Sequence, residues 1–265
     1  MLRLFASALV TLALTGAALA AGGGPSPGLM TGWDGAANTS RSVRYVAMPV
    51  GTSTIVGAIR TSDGRMLRYS TIHGGFGVPI VAYDGTTEGV SHDGRTLVLA
   101  EFGASQQQTR FAVLGTSRLR LQRLVTLQGL WSLDALSRDG RMLYAIQYLG
   151  TGPNPRYSVR AVSLVTGKPV GLPLVDKREP DEEMNGSPWA RVRSANGAGF
   201  VHALDTAGRR AFCVDLPWRT STQRLAAVRL SLADGGGTLE LEKPVGTRLA
   251  VVDTTTFKVT AFARP

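Results

Sequence analysis

The chain has 265 residues, 43% of them hydrophobic and 18% charged, with 32 glycines and 13 prolines. This composition excludes a disordered chain and points to a turn-rich folded domain with a sizeable core. The formal net charge is +10 and the single cysteine is Cys213, so anionic partners are favoured and an intramolecular disulfide is excluded.

The first twenty residues read as a secretory signal peptide. Arg3 is a minimal positive region, residues 4–14 are an apolar run, and Ala18-Leu19-Ala20 supplies small residues for cleavage after Ala20. The run is short of the roughly 20 residues that span a bilayer, and no later segment reads as transmembrane, so no stable span is expected after cleavage. Residues 21–40, with Gly22-Gly23-Gly24-Pro25-Ser26-Pro27-Gly28, read as a flexible leader. The expected location is extracytoplasmic: secreted or in the cell envelope.

Residues 41–265 read as one all-β domain of about five units. The first unit is expected to be incomplete, with strands at 43–48, 55–61 and 66–72 around the turn Ser62-Asp63-Gly64-Arg65. The second has short strands at 87–90, 96–102, 110–114 and 119–127, with the turn Ser91-His92-Asp93-Gly94-Arg95 between the first two. The third repeats the plan at 133–136, 142–148, 157–164 and 169–175. It has Ser137-Arg138-Asp139-Gly140-Arg141 as its first turn and Val165-Thr166-Gly167-Lys168 as its last. Glycine in these turns supplies positive φ.

The fourth unit is expected to be short. Strands at 190–194, 200–204 and 210–216 leave no room for a fourth. Cys213 falls in the last of these and reads as a small buried hydrophobe. The fifth has strands at 227–230, 238–241, 248–252 and 257–262. Asp93 and Asp139 are 46 residues apart, and Asp139 and Asp234 are 95 apart, about two further repeats. A period of this size with four strands per unit is the pattern of a β-propeller blade.

Ser-x-Asp-Gly-Arg before an apolar strand, with a later Thr-Gly or Asp-Thr hairpin, resembles the WD40-like, TolB-like and YVTN-type β-propellers. The resemblance covers nearly all of the expected mature chain. It implies an architecture of radially arranged blades and is nearly silent on activity.

In an up-and-down blade the first and third hairpin turns share one face. The loops 103–109, 149–156, 176–188 and 217–225 then share the other, and their length and variety mark that face as the expected binding surface. Its densest polar stretch holds Asp176, Lys177, Arg178, Glu179 and Asp181. These are the expected ligand contacts, with Lys177 and Arg178 placed to clamp an anion; the other reading is a solvated loop with self-neutralised charges.

Trp131, Trp189 and Trp218 lie near blade connections. Packing between blades is the usual use of such residues, while Trp189 is also a candidate for stacking on a ligand. Asn38-Thr39-Ser40 and Asn185-Gly186-Ser187 match a short, common glycosylation pattern. In Arg118-Leu119-Arg120-Leu121 the leucines are expected to face the neighbouring blade and the arginines water.

His73, His92 and His202 have no metal-ligand spacing, and no catalytic elbow, phosphate loop or dinucleotide fingerprint occurs. The 25 arginines are scattered and lack an aromatic-interleaved cluster, so nucleic acid is not an expected partner.

The expected function is an exported, non-catalytic binding module for a protein or an anionic envelope polymer, with no cofactor and no metal. The alternative is a propeller hydrolase or lyase acting on polysaccharide or a lactone through carboxylates and basic residues of the 176–183 loop.

Overall fold

A computed structural model describes residues 35–81, 87–102, 107–149, 156–170, 174–175, 183–185, 192–195, 198–205, 210–219, 224, 227–234 and 237–265. The expected signal peptide and most of the leader lie outside the described residues.

Every named element is a strand, and the strands form five successive sheets. The first sheet is β1 (Ala36–Ala37), β2 (Val43–Val50), β3 (Ser53–Arg60) and β4 (Met66–His73). The second is β5 (Phe76–Gly77), β6 (Thr96–Glu101), β7 (Gln108–Gly115) and β8 (Arg120–Gln128). The third contains β9 (Leu130–Leu136), β10 (Met142–Tyr148), β11 (Arg156–Ser163) and β12 (Pro169–Val170). The fourth contains β15 (Val192–Ala195), β16 (Ala198–Asp205) and β17 (Arg210–Arg219). The fifth is β18 (Arg229–Ala233), β19 (Thr238–Glu242), β20 (Arg248–Asp253) and β21 (Val259–Ala261). Neighbouring strands run antiparallel within each meander, and the sheets are the blades of a β-propeller.

The strand cores are apolar on both sides because each blade is covered on both sides. In β6, Leu97 and Leu99 enter the cluster shared with blade 1, while Val98 enters the cluster shared with blade 3. Val201, Val214 and Trp218 of blade 4 pack against Leu241 and Val252 of blade 5. Leu204 of blade 4 packs on Tyr144 and Ile146 of blade 3. Among the described residues no buried cluster joins blade 5 to blade 1, and the far face of blade 1 leaves Tyr69 72% exposed.

Several expectations need correction. The first blade is complete: Ala36–Ala37, inside the stretch expected to be leader, pairs with Tyr45 and Arg44. Asn38 makes the return possible, its side-chain oxygen accepting the Val43 N–H at 3.0 Å in a turn where Arg41 takes φ 54°. The inner strand of blade 2 is not 87–90. Phe76–Gly77 pairs at one end of β6 and Val90 bridges Leu97 at the other, and Ile80 bridges Thr87. Arg110, hydrogen-bonded to Glu101 at 2.8 Å, lies over the Phe76 ring and fixes that short strand.

The segment 169–175 is divided. β12 stays on blade 3, while β13 (Leu174–Val175) adds to blade 4 as a parallel edge strand on β17. β14 (Glu183–Asn185) then returns to the other end of β11. The expected three-stranded meander of blade 4 is present, and β13 supplies its fourth strand. Leu119 is buried between blades 1 and 2 as expected but sits in a turn at φ 51°, whereas Leu121, on the outer strand and paired with buried Leu114, is 40% exposed.

A threonine clasps two blade-to-blade connections. Thr54 Oγ1 donates to the Gly74 carbonyl at 2.6 Å and accepts the Phe76 N–H at 2.8 Å. Thr109 does the same with Gly129 at 3.0 Å and Trp131 at 3.0 Å.

Gly94 and Gly140 occupy the same turn position at φ 69° and 65°. A Cβ on Gly94 meets nothing within 4 Å, whereas one on Gly140 would lie 2.5 Å from Thr96 Oγ1 and 2.9 Å from Ser91 Cβ of blade 2. Both Gly→Ala variants carry left-handed backbone strain of about 1–2 kcal/mol. Gly140→Ala adds overpacking of roughly 1–3 kcal/mol. Urea titration should therefore find Gly140→Ala less stable than Gly94→Ala; equal midpoints would contradict the close approach of blades 2 and 3.

Candidate functional site: the turn face

The loops expected to bind lie largely outside the described residues, and so do Asp176, Lys177, Arg178, Glu179, Asp181 and Trp189. The side chains of Cys213 and His202 also fall outside the description. The described residues define the opposite face, built by the hairpin turns.

The recurring turn has one geometry in blades 2 and 3. Ser91 Oγ donates to Asp93 Oδ1 at 2.6 Å and accepts the Thr96 N–H at 3.0 Å. Asp93 Oδ1 also accepts the Arg95 N–H at 3.0 Å. In blade 3, Ser137 donates to Asp139 at 2.7 Å, accepts the Met142 N–H at 2.9 Å, and Asp139 accepts the Arg141 N–H at 3.1 Å. A serine two residues before an aspartate thus closes the turn onto the next strand.

The turns of one blade are tied together. The N–H that opens the third turn donates to a carbonyl of the first: Thr61 to Ser42 at 3.0 Å, Thr116 to Arg95 at 3.0 Å, Leu164 to Arg141 at 2.8 Å and Thr254 to Gly237 at 3.0 Å. Neighbouring blades are tied as well. Thr39 Oγ1 donates to the His92 carbonyl at 2.7 Å, and the Asp93 N–H donates to the Arg138 carbonyl at 3.1 Å.

On this face lies an open cleft of about 850 Å³, lined by Asp93, Ser137, Arg138, Asp139, Arg141, Met142, Tyr144, Ser163, Val165 and Thr166. Its chemistry follows from which groups are already engaged. The Ser137 hydroxyl has both its donor and an acceptor site in use, so it is not poised as a nucleophile. The Arg138 and Arg141 guanidiniums make no side-chain hydrogen bond or ion pair among the described residues. Planar guanidiniums with unfilled donors suit oxyanions.

The turn carboxylates are held below the ordinary aspartate range. At Asp139 the Ser137 hydroxyl and the Arg141 N–H are the main causes. At Asp93 partial burial pulls upward, but the Ser91 hydroxyl, the Arg95 N–H and the Arg95 charge together outweigh it. Asp63 is lowered chiefly by the Arg65 N–H, and Asp253 by the Thr256 N–H and hydroxyl. All four therefore stay ionised at neutral pH.

A second cleft of about 480 Å³ lies between the outer strand of blade 2 and blade 3, with Trp131, Gln147 and Arg160 in its wall. Trp131 is buried, and its indole N–H donates to the Gln128 carbonyl at 2.7 Å. That is the expected packing role, and Trp218 is buried likewise between blades 4 and 5. Among the described residues no cluster of His, Cys, Asp and Glu has the makings of a metal site. No helix among them is long and apolar enough to cross a membrane.

No family model matches this sequence, and no curated protein matches it. Among solved structures, the chain is similar to hydrazine synthase of Kuenenia stuttgartiensis, at 13% identity over 90% of this chain and 66% of that one, with a TM-score of 0.47. It is similar to a functionally unknown protein of Desulfotomaculum acetoxidans DSM 771, at 10% identity over 82% and 64%, TM-score 0.46. It is also similar to TolB of Acinetobacter baumannii, at 13% identity over 72% and 45%, TM-score 0.42. The chain spans less than two thirds of the length of each of these structures. No match separates a WD40-like from a YVTN-type repeat.

The lowered carboxylates give a pH dependence with a definite sign. A carboxylate whose folded pKa is depressed adds stability above its unfolded value, near 3.9, and loses it as pH falls through the folded value. Chemical-denaturation midpoints should be level from about pH 7 to 5 and fall below about pH 4. Asp93→Asn with Asp139→Asn keeps the acceptor oxygens and should flatten part of that fall. A fall of the same depth in the double variant would contradict the assignment.

Proposed function

We propose that this chain is a non-catalytic propeller binding module whose ligand is anionic. The observation that carries the reading is the contrast within the turn-face cleft. Its serine and aspartates are engaged in closing turns, while the Arg138 and Arg141 guanidiniums are not. Such groups bind oxyanions, and among the described residues no base–nucleophile pair lies beside them. The net charge of +10 adds long-range attraction for such a ligand.

Export belongs to the same proposal, on the strength of the apolar run 4–14 and Ala18-Leu19-Ala20. In an exporting host the recovered protein should begin at Ala21 by N-terminal sequencing; an intact Met1 would contradict export.

Arg138→Gln with Arg141→Gln should weaken binding of inorganic tripolyphosphate by about tenfold or more at low salt, as loss of two charge-assisted contacts implies. The variant should keep its denaturation midpoint, because both side chains are exposed. Unchanged tripolyphosphate affinity would remove the cleft as the binding site.

A further inference from the structure

The cations of the turn face are placed by the fold, not scattered. After a residue in the left-handed region comes a cation in turn after turn: Gly64 then Arg65, Gly94 then Arg95, Leu119 then Arg120, Gly140 then Arg141, Gly167 then Lys168, Phe257 then Lys258. In five of these the cation's own N–H donates to a side-chain oxygen two residues earlier. The acceptor is Asp63, Asp93 or Asp139 in the Arg turns and Thr166 or Thr256 in the Lys turns. In those five the backbone bond fixes where the cation leaves the turn, and each of the six side chains is exposed.

The surplus concentrates on blades 2 and 3. Their four turns carry Arg95, Arg118, Arg120, Arg138, Arg141 and Lys168 against only Asp93 and Asp139. One hydrogen-bonded path joins those turns. Thr116 bonds Gly94 through Oγ1 at 2.6 Å and Arg95 through its N–H at 3.0 Å, Asp93 bonds Arg138 at 3.1 Å, and Leu164 bonds Arg141 at 2.8 Å. The cations therefore sit on one connected rim, spread over two blades, and do not converge on one pocket. Only Arg138 and Arg141 line the cleft.

We infer that the turn face of blades 2 and 3 is a docking surface for a linear phosphate polymer, which lies across successive turns and contacts one cation per turn. This rests on the proposed anion-binding function and extends it from a cleft to a track. A small anion needs converging donors, whereas a polymer with an oxyanion in every unit gains from cations arranged along a line. Binding of this kind releases counterions and weakens steeply with salt, in proportion to the number of contacts.

The test uses the mature protein and long-chain inorganic polyphosphate, with affinity measured across a salt series. Arg95→Gln, Arg118→Gln and Arg120→Gln together lie outside the cleft. This triple variant should weaken polyphosphate binding about tenfold or more at low salt and reduce the magnitude of the log–log salt slope by roughly two. A control with the same charge change elsewhere, Arg44→Gln with Arg229→Gln and Arg264→Gln, should bind nearly as the native protein does.

Wild-type affinity in the triple variant, with loss only in Arg138→Gln/Arg141→Gln, would confine binding to the cleft. That result overturns the track and leaves the proposed function standing. Equal loss in the triple variant and the control would reduce the effect to net charge and also overturn the track. No binding of polyphosphate or tripolyphosphate by the native protein would overturn both.

Discussion

The structure depends on a single backbone constraint, repeated in four blades. The amide that opens a blade's third turn must reach a carbonyl in its first turn. Thr61 and Ser42, Thr116 and Arg95, Leu164 and Arg141, and Thr254 and Gly237 meet at 2.8–3.0 Å. An edge-to-edge meander leaves its hairpin turns free to splay; this bond draws two turns of each blade together and buries polar groups that would otherwise need water. Added to the interblade bonds from Thr39 and Asp93, it converts separate hairpins into a continuous surface.

That surface carries its charge as a consequence of its construction. The turn needs a left-handed residue, and the residue after it must donate its N–H to an acceptor two positions back. The Asp side chain serves as acceptor and is held ionised, so its charge is committed to turn closure. The following Arg or Lys hydrogen-bonds the turn through its amide, and its exposed cation adds only a charge effect on the neighbouring carboxylate at Asp93 and Asp139. In blades 2 and 3, Arg118, Arg120, Arg138 and Lys168 add cations without adding carboxylates, so the proposed binding would not compete with turn closure for the same atoms.

Much of this was legible in the sequence because the turns are local. Ser91–Arg95 and Ser137–Arg141 hold their geometry through contacts within five residues, and their spacing identifies the repeat. The outlying strands were not legible. Ala36–Ala37 and Phe76–Gly77 are two residues each, too short for any periodicity, and Phe76 is fixed by Thr54 and Arg110, far from it in sequence. The parallel seating of β13 on β17 is decided by an edge left open in blade 4, which no local pattern encodes. Loop length and charge density point to residues 176–183, most of which lie outside the described residues, while the recurring Asp-Gly-Arg reads as punctuation until its cations are seen on one rim.

Amide hydrogen exchange resolved by residue tests the central constraint most directly. If the turns are bonded as described, the amides of Thr61, Thr116, Leu164 and Thr254 will exchange with protection of the same order as strand amides such as that of Leu99, although they lie in surface turns. Exchange of these four at the rate of exposed loop amides would contradict the account, since the turns would then be independent hairpins and the cationic rim would have no fixed geometry.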